Sequence, residues 1–346
     1  MALLAVAGAG CSEAQREQAP TQTGIVVVAS IYPLADLAEE LTGELGEAHA
    51  LLPAGSTPHG FSPTPDALRT LRSADVLLTV GRGLDPWAAR LANRVDEPPT
   101  EVNLADIAVR AGVVDGGETP EASREKSHDH AEHDHAEDDH DHSNHEHDRN
   151  HDHADHADHA DHAHDHLGPN PHLWLDPHAV RALIEELATV LEARLPEEQH
   201  ATLRANRDDL LGRIDEIDRA YQQQMTELSR KRLVTFHNAF DPLAERYGLE
   251  VVAHLTPIGL GGGGEITPGR LDAAVRAIQQ HDVPAVYVEP QFNDAVARRI
   301  AQRTGVEVLT LDPLGHPHID GRRGWFAIMR FNLEQLVKGQ SPTPSP

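Results

Sequence analysis

The chain has 346 residues, enough for two α/β lobes. Its formal net charge is −27, from 29 basic and 56 acidic residues, and we expect no nucleic-acid partner because phosphate contacts need a basic surface. A single cysteine excludes an internal disulfide and a thiolate zinc site. An acidic chain rich in metal-ligand side chains suggests cationic partners instead.

Residues 1–24 are similar to a bacterial lipoprotein signal followed by a tether. The short run MALLAVAGAG precedes Cys11, and the polar segment 12–24 follows it. This resemblance implies that Cys11 is lipidated and holds the protein at the outer face of the cytoplasmic membrane or in the periplasm. An ordinary, unmodified cysteine is the alternative. Elsewhere no apolar run reaches the ~20 residues of a membrane span.

Residues 25–195 are predicted to form the first lobe. Its strand candidates are 25–29, 50–53, 75–80 and 100–104, and its helices lie at 30–43, 66–72 and 87–94. A further helix begins after Asp176, a good N-cap, and Pro177. Strands that alternate with helices predict a parallel sheet.

A histidine-rich insertion interrupts this lobe at 121–167. Fifteen of the chain's 25 histidines lie in segment 128–166, which contains no aliphatic residue larger than alanine. Such a segment has no core to bury, and we expect it to be disordered without metal. Its composition predicts weak, accessory binding of divalent metal ions. These accessory ligands are His128, His130, His133, His135, His140, His142, His145, His147, His151, His153, His156, His159, His162, His164 and His166.

The spacing of apolar residues predicts a connecting helix over 196–228. A helix over 197–228 is about 48 Å long. Two shorter helices broken near Gly212 are the alternative.

Residues 229–346 are predicted to form the second α/β lobe. Its strand candidates are 233–236, 250–253, 285–288 and 306–311, and its helices lie at 239–247, 268–281, 293–304 and 324–337. The glycine-rich stretch 259–265 lacks the lysine of a phosphate loop and is interpreted as a flexible connection.

Four residues are candidate metal ligands: His59, His172, His237 and Asp312. Three of them follow predicted strands, and ligands of open α/β sheets bind beyond the carboxyl ends of strands. Three imidazoles and one carboxylate suit a tetrahedral Zn²⁺ site. Each residue taken alone is more often a solvated or capping loop residue. We interpret three further histidines as surface or outer-sphere residues: His254, His316 and His318.

Several segments resemble the solute-binding proteins of bacterial zinc and manganese ABC importers. They include PAGSTPHGFSPTPDALRTL, NPHLWLDP, LVTFHNAFDPLAERYGLE, YVEPQF and GVEVLTLDPLG, which follow one another in the family's order. The resemblance implies two α/β lobes joined by one long rigid helix, with the metal in the interlobe cleft. It also implies that the four candidates are ligands, although water may replace Asp312 in some zinc-binding members.

The resemblance implies a monomeric, extracytoplasmic zinc receptor, not an enzyme, that delivers Zn²⁺ to the permease of an ABC importer. Histidine at position 237 favours zinc, since manganese-binding relatives often have glutamate there. A manganese receptor, a metal buffer whose working part is the insertion, and a zinc hydrolase remain as alternatives. Against a hydrolase, the sequence has no HExxH-like pair.

Overall fold

The computed structural model describes residues 24–115, 169–256 and 266–340. Two lobes, each built on a four-stranded parallel sheet, are joined by one long helix, which confirms the predicted fold class. No helix in these residues is both long and apolar enough to cross a membrane. Cys11, the fifteen histidines of 128–166 and the glycine-rich stretch 259–265 lie outside the described residues.

The first sheet has the strand order β2-β1-β3-β4. Its central strands, β1 and β3, are buried at every residue, as their apolar sequences require. The strands are β1 (Ile25–Ala29), β2 (Gly46–Ala50), β3 (Val76–Thr79) and β4 (Thr100–Asn103). The helices are α1 (Tyr32–Thr42), α2 (Pro65–Leu71), α3 (Pro86–Ala92) and α4 (Leu104–Arg110).

The prediction of a strand at 50–53 is wrong. Strand β2 ends at Ala50, and the apolar residues Leu51 and Leu52 are buried in the segment that follows it. Because β2 lies at the edge of its sheet, its side chains alternate between partly buried and exposed, and its sequence GEAHA contains no apolar run. Helix α4 was not predicted; the side chain of Asn103 caps it by accepting a hydrogen bond from the Asp106 backbone N–H.

The connecting helix is continuous. Helix α5 (Pro177–Glu192) is capped by Asp176 and leads into α6 (Glu197–Glu227), which is about 46 Å long. Because α6 runs through Gly212 without a break, the two-helix alternative is wrong. Arg213 pairs with Glu40 of the first lobe, and the Tyr221 hydroxyl donates a hydrogen bond to the Met329 carbonyl of the second lobe, 2.7 Å away.

The second sheet repeats the first, with the order β6-β5-β7-β8. Its central strands β5 and β7 contain the buried sequences LVT and AVYV. The strands are β5 (Arg232–Thr235), β6 (Glu250–His254), β7 (Ala285–Val288) and β8 (Glu307–Thr310). The helices are α7 (Asp241–Arg246), α8 (Pro268–His281), α9 (Ala295–Thr304) and α10 (Trp325–Gln340).

One hydrophobic core runs through both lobes and the helices between them. Two smaller clusters fill the outer layers, one in each lobe. At the junction the Trp174 indole N–H donates to the Pro313 carbonyl at 2.6 Å, and the Trp325 indole N–H donates to the Trp174 carbonyl at 2.7 Å. Wide separation of the lobes would expose this shared core, so the fold favours local movements over a large hinge opening.

Candidate metal centre

Three loops bring three histidines together at the junction of the lobes. His59 lies in the loop between β2 and α2, His172 immediately precedes the 3₁₀ turn Leu173–Leu175, and His237 follows β5. The Nε2 atom of His172 lies 3.2 Å from the Nε2 atoms of both His59 and His237. Within the described part of the chain, this is the one group of three or more potential ligands whose donor atoms all lie within 4.8 Å of one another.

These separations suit a small tetrahedral cation. An ion bound at about 2.0–2.1 Å by each of two imidazoles separates their nitrogen atoms by about 3.3–3.4 Å in tetrahedral geometry. The two measured distances of 3.2 Å are close to that value. These two pairs of nitrogens therefore have the spacing of a zinc site, and the nitrogens of His59 and His237 lie within 4.8 Å of each other.

The hydrogen bonds of Asn170 define the tautomer of His172. The side-chain amide of Asn170 donates through Nδ2 to the main-chain carbonyl of Asn238, at 2.7 Å. Its Oδ1 atom therefore faces His172, where it accepts hydrogen bonds from the backbone N–H at 3.0 Å and from ring Nδ1 at 2.8 Å. A proton on Nδ1 leaves a lone pair on Nε2, which points into the cluster.

Glu289 fixes His237 in the same way. Its carboxylate accepts a hydrogen bond from Nδ1 of His237, which leaves Nε2 as the donor atom for a metal. Glu289 is 3% exposed. Glu289 was not among the predicted site residues, although it directly follows β7, at a strand end like the predicted ligands. That position was the signal that could have identified it.

The loop that carries His59 is held by Trp87. The indole N–H of Trp87 donates to the carbonyl of Pro58 at 3.2 Å, and the ring of Phe61 packs edge-on against the indole with centroids 4.9 Å apart. These contacts flank His59 on both sides in sequence. They anchor its loop to α3 and thereby limit the positions open to its imidazole.

Burial keeps the imidazoles ready to bind a cation. Burial, reinforced by His237, lowers the pKa of His59 to about 4. The pKa of His172 is lowered well below its usual range, mainly by burial and further by the two neighbouring histidines. Both side chains are therefore neutral at pH 7, the form in which a histidine binds a metal ion. Burial also raises the pKa of Glu289, and its contact with His237 opposes that shift.

Asp312 lies beside the cluster but outside the group of three. Its Oδ1 accepts hydrogen bonds from the backbone N–H groups of Leu314 and Gly315, at 3.1 and 2.8 Å. Its Oδ2 accepts a hydrogen bond from Arg322 at 3.0 Å. Since Pro313 and Leu314 line the cleft, the carboxylate is close to the site, and its role as a fourth ligand stays a prediction.

The other histidines singled out in the described residues do not join the cluster. In His254, Nδ1 lies 2.9 Å from the hydroxyl oxygen of Thr235, and Nε2 lies 3.3 Å from a carboxylate oxygen of Asp241. The rings of His316 and His318 pack against each other with centroids 5.7 Å apart. The fifteen accessory histidines fall outside the described residues, so their role also stays a prediction.

The cleft around the three imidazoles measures about 10 Å³, far below the ≈ 300–1,000 Å³ typical of sites for organic ligands. Its walls include the apolar side chains of Trp174, Phe292 and Leu314. A small space with three convergent nitrogen donors is better matched to a single ion than to an organic solute. Together, the fold and this site define a two-lobed metal-binding protein.

The chain belongs to the family of zinc-uptake complex component A, a periplasmic component, which it matches over residues 27–339. It is 27% identical over 294 residues to the high-affinity zinc uptake system protein ZnuA of Yersinia pestis, covering 84% of this chain and 83% of that protein. It is 25% identical over 313 residues to the zinc-binding lipoprotein AdcA of Streptococcus pneumoniae R6, covering 90% of this chain. The chain spans only 54% of that protein, and 57% of the zinc-binding protein AdcA of Streptococcus pyogenes serotype M3, to which it is 23% identical.

Solved structures share the fold. A crystal structure of ZnuA superposes with a TM-score of 0.68 at 19% sequence identity, covering 92% of this chain and all of the other. A manganese-bound periplasmic metal-binding protein from Candidatus Liberibacter asiaticus also has a TM-score of 0.68, at 16% identity and the same coverage. At these identities the likeness concerns the fold alone.

Proposed function

We propose that this protein is an extracytoplasmic receptor that captures Zn²⁺ and delivers it to the membrane permease of an ABC importer. The observation that carries the proposal is the convergence of three Nε2 atoms, with Asn170 and Glu289 hydrogen-bonded to the Nδ1 atoms of His172 and His237. Membership of the zinc-uptake component A family supports the same conclusion.

Capture follows from the geometry of the site. Zn²⁺ is the transported cargo, and His59, His172 and His237 offer it three nitrogen ligands, of which two pairs already have tetrahedral spacing. Asp312 or a water molecule takes the fourth position. The buried carboxylate of Glu289 offsets part of the ion's positive charge through His237. Because the lobes share one core, loading requires small loop movements, and release takes place on the permease.

The donor set favours zinc over manganese. Imidazole suits a borderline ion such as Zn²⁺, whereas Mn²⁺ prefers oxygen ligands. A manganese receptor of the same family is the second candidate function. No bond of a substrate is made or broken in this function, and the protein is not an enzyme.

The remaining parts of the proposal rest on the sequence. Lipidation of Cys11 would hold a monomeric receptor at the outer face of the membrane. The fifteen histidines of 128–166 would bind several ions weakly and raise the local zinc concentration near the cleft. The insertion ends shortly before His172, which places this supply next to the site in sequence.

Zinc titration of the metal-free protein against a competing chelator tests the proposal. We expect one tight site in the wild type and in a variant without 128–166. His172→Ala removes one of three donors, and we expect its affinity to fall by more than the roughly 100-fold upper range of outer-sphere changes. The matched control is His49→Ala, at an exposed position of edge strand β2, which should bind like the wild type.

Three outcomes would contradict the proposal. Loss of the tight site on deletion of 128–166 would instead indicate a buffer whose working part is the insertion. Tighter binding of Mn²⁺ than of Zn²⁺ would indicate the manganese receptor. Catalytic turnover of ester or peptide substrates by the wild type, abolished by His172→Ala, would indicate a hydrolase.

A further inference from the structure

Asn170 occupies an unusual position between the two lobes. It lies in the first lobe, two residues before His172, yet its side-chain Nδ2 donates to the carbonyl of Asn238 in the second lobe at 2.7 Å. Asn238 directly follows His237. One amide side chain therefore contacts a metal-site histidine of one lobe and the main chain next to a metal-site histidine of the other.

The chemistry of an amide gives these two contacts a fixed relation. A carbonyl can only accept a hydrogen bond, so the Asn238 contact requires the NH₂ group of Asn170. The Oδ1 atom must then face His172, where it accepts from Nδ1 at 2.8 Å and from the backbone N–H at 3.0 Å. The interlobe contact and the tautomer of His172 are consequently set by the same side chain.

Arg82 fixes the main chain at Asn170. Its guanidinium donates to the main-chain carbonyl of Asn170 at 3.1 Å and to that of Asp115 at 2.7 Å. Arg82 has a φ of +49°, a left-handed conformation that is uncommon outside glycine, and it lies between Gly81 and Gly83, which also have positive φ. This turn aims the guanidinium at the segment that carries Asn170.

We infer that Asn170 is a positioning residue of the metal site: it holds His172 in the Nδ1–H tautomer and sets the spacing between His172 and His237 across the lobes. Without it, the His172 ring could place its proton on Nε2, where it would oppose a cation. The inference rests on the proposed function only for the identity of the ion, since the tautomer is a property of the metal-free protein.

Two variants separate the two roles. Asn170→Ala removes both contacts of the side chain. Asn170→Asp keeps an acceptor for Nδ1 and the backbone N–H of His172 but cannot donate to the carbonyl of Asn238. The matched control is Asn93→Ala, the same substitution at an exposed position of the first lobe.

The experiment combines imidazole ¹⁵N NMR of the metal-free full-length protein at pH 8 with zinc titrations of each variant. The His172 signals are identified by their loss in His172→Ala. We expect Asn170→Ala to lose the Nδ1–H tautomer and to bind zinc about 10- to 100-fold more weakly. Asn170→Asp should keep the tautomer and recover part of the affinity, and Asn93→Ala should match the wild type in both measurements.

The inference is overturned if Asn170→Ala keeps the Nδ1–H tautomer, whatever its zinc affinity, because the residue would then act only on the local fold. If Asn170→Ala does not fold, Asn170→Asp decides: an unchanged tautomer supports the inference, and a changed tautomer overturns it. A wild-type tautomer signal without tight zinc binding would refute the proposed function but not the positioning role.

Discussion

Replacing Glu289 by glutamine should weaken zinc binding without destabilising the metal-free protein. The carboxylate is 3% exposed and accepts the hydrogen bond from Nδ1 of His237. An ion about 2 Å beyond Nε2 lies about 6.5 Å from this carboxylate across the ring. At an effective dielectric constant of about 20, charges of +2 and −1 at about that distance attract each other by about 5 kcal/mol, an upper limit for the loss.

The expected loss is smaller than this limit because the amide oxygen of glutamine can still accept the Nδ1 hydrogen bond. Changes at outer-sphere partners of metal-bound histidines cost about 10- to 100-fold in affinity, or about 1.4–2.7 kcal/mol. We expect Glu289→Gln to fall in this range. The free energy of unfolding of the metal-free variant should equal or exceed that of the wild type, because the substitution removes a buried carboxylate and its desolvation cost.

Competition titration with a zinc chelator measures the affinity, and urea unfolding of the metal-free protein measures the stability. Glu250→Gln is the matched control, since Glu250 lies on β6 of the same lobe and pairs with Arg232 at the surface. An unchanged zinc affinity in Glu289→Gln would refute the electrostatic argument. A loss of stability together with affinity would show that the residue acts through folding.

Three further outcomes are expected. Burial holds the pKa of His59 at about 4 in the folded protein, whereas in the unfolded chain the pKa is near 6.5. The free energy of unfolding of the metal-free protein should therefore fall by up to roughly 3 kcal/mol between pH 6.5 and pH 4. Urea unfolding should show a weaker dependence of this free energy on pH for His59→Gln, and an equal dependence would contradict the pKa shift. A Cβ at Gly212 would meet nothing within 4 Å, so Gly212→Ala should raise the free energy of unfolding by about 0.5–1 kcal/mol and leave the zinc affinity unchanged. A lower free energy of unfolding would mean that α6 needs its glycine. Trp87→Phe removes the hydrogen bond to the Pro58 carbonyl, which is worth about 1 kcal/mol. Zinc binding in the competition titration should become several-fold weaker. Equal binding would show that the His59 loop is fixed by other contacts.

Local sequence patterns predicted most of the fold. Apolar runs identified the central strands of both sheets, and helical spacing identified α6 to within one residue at its end. The edge strand β2 was misplaced because its partly solvated face removes the apolar run on which the prediction depended. Helix α4 was missed because it is short and directly follows a strand.

The sequence alone also indicated where the ligands lie, because a histidine or aspartate next to the end of a parallel strand reaches the ligand-binding edge of a sheet. It could not show which way these side chains point. Asp312, placed by the same reasoning, faces two backbone N–H groups and Arg322. Only the tertiary structure gave His237 its partner Glu289, 52 residues away, and linked Asn170 to the main chain at Asn238, 68 residues away. These contacts depend on how the two lobes pack on one shared core, and no short-range pattern encodes that packing.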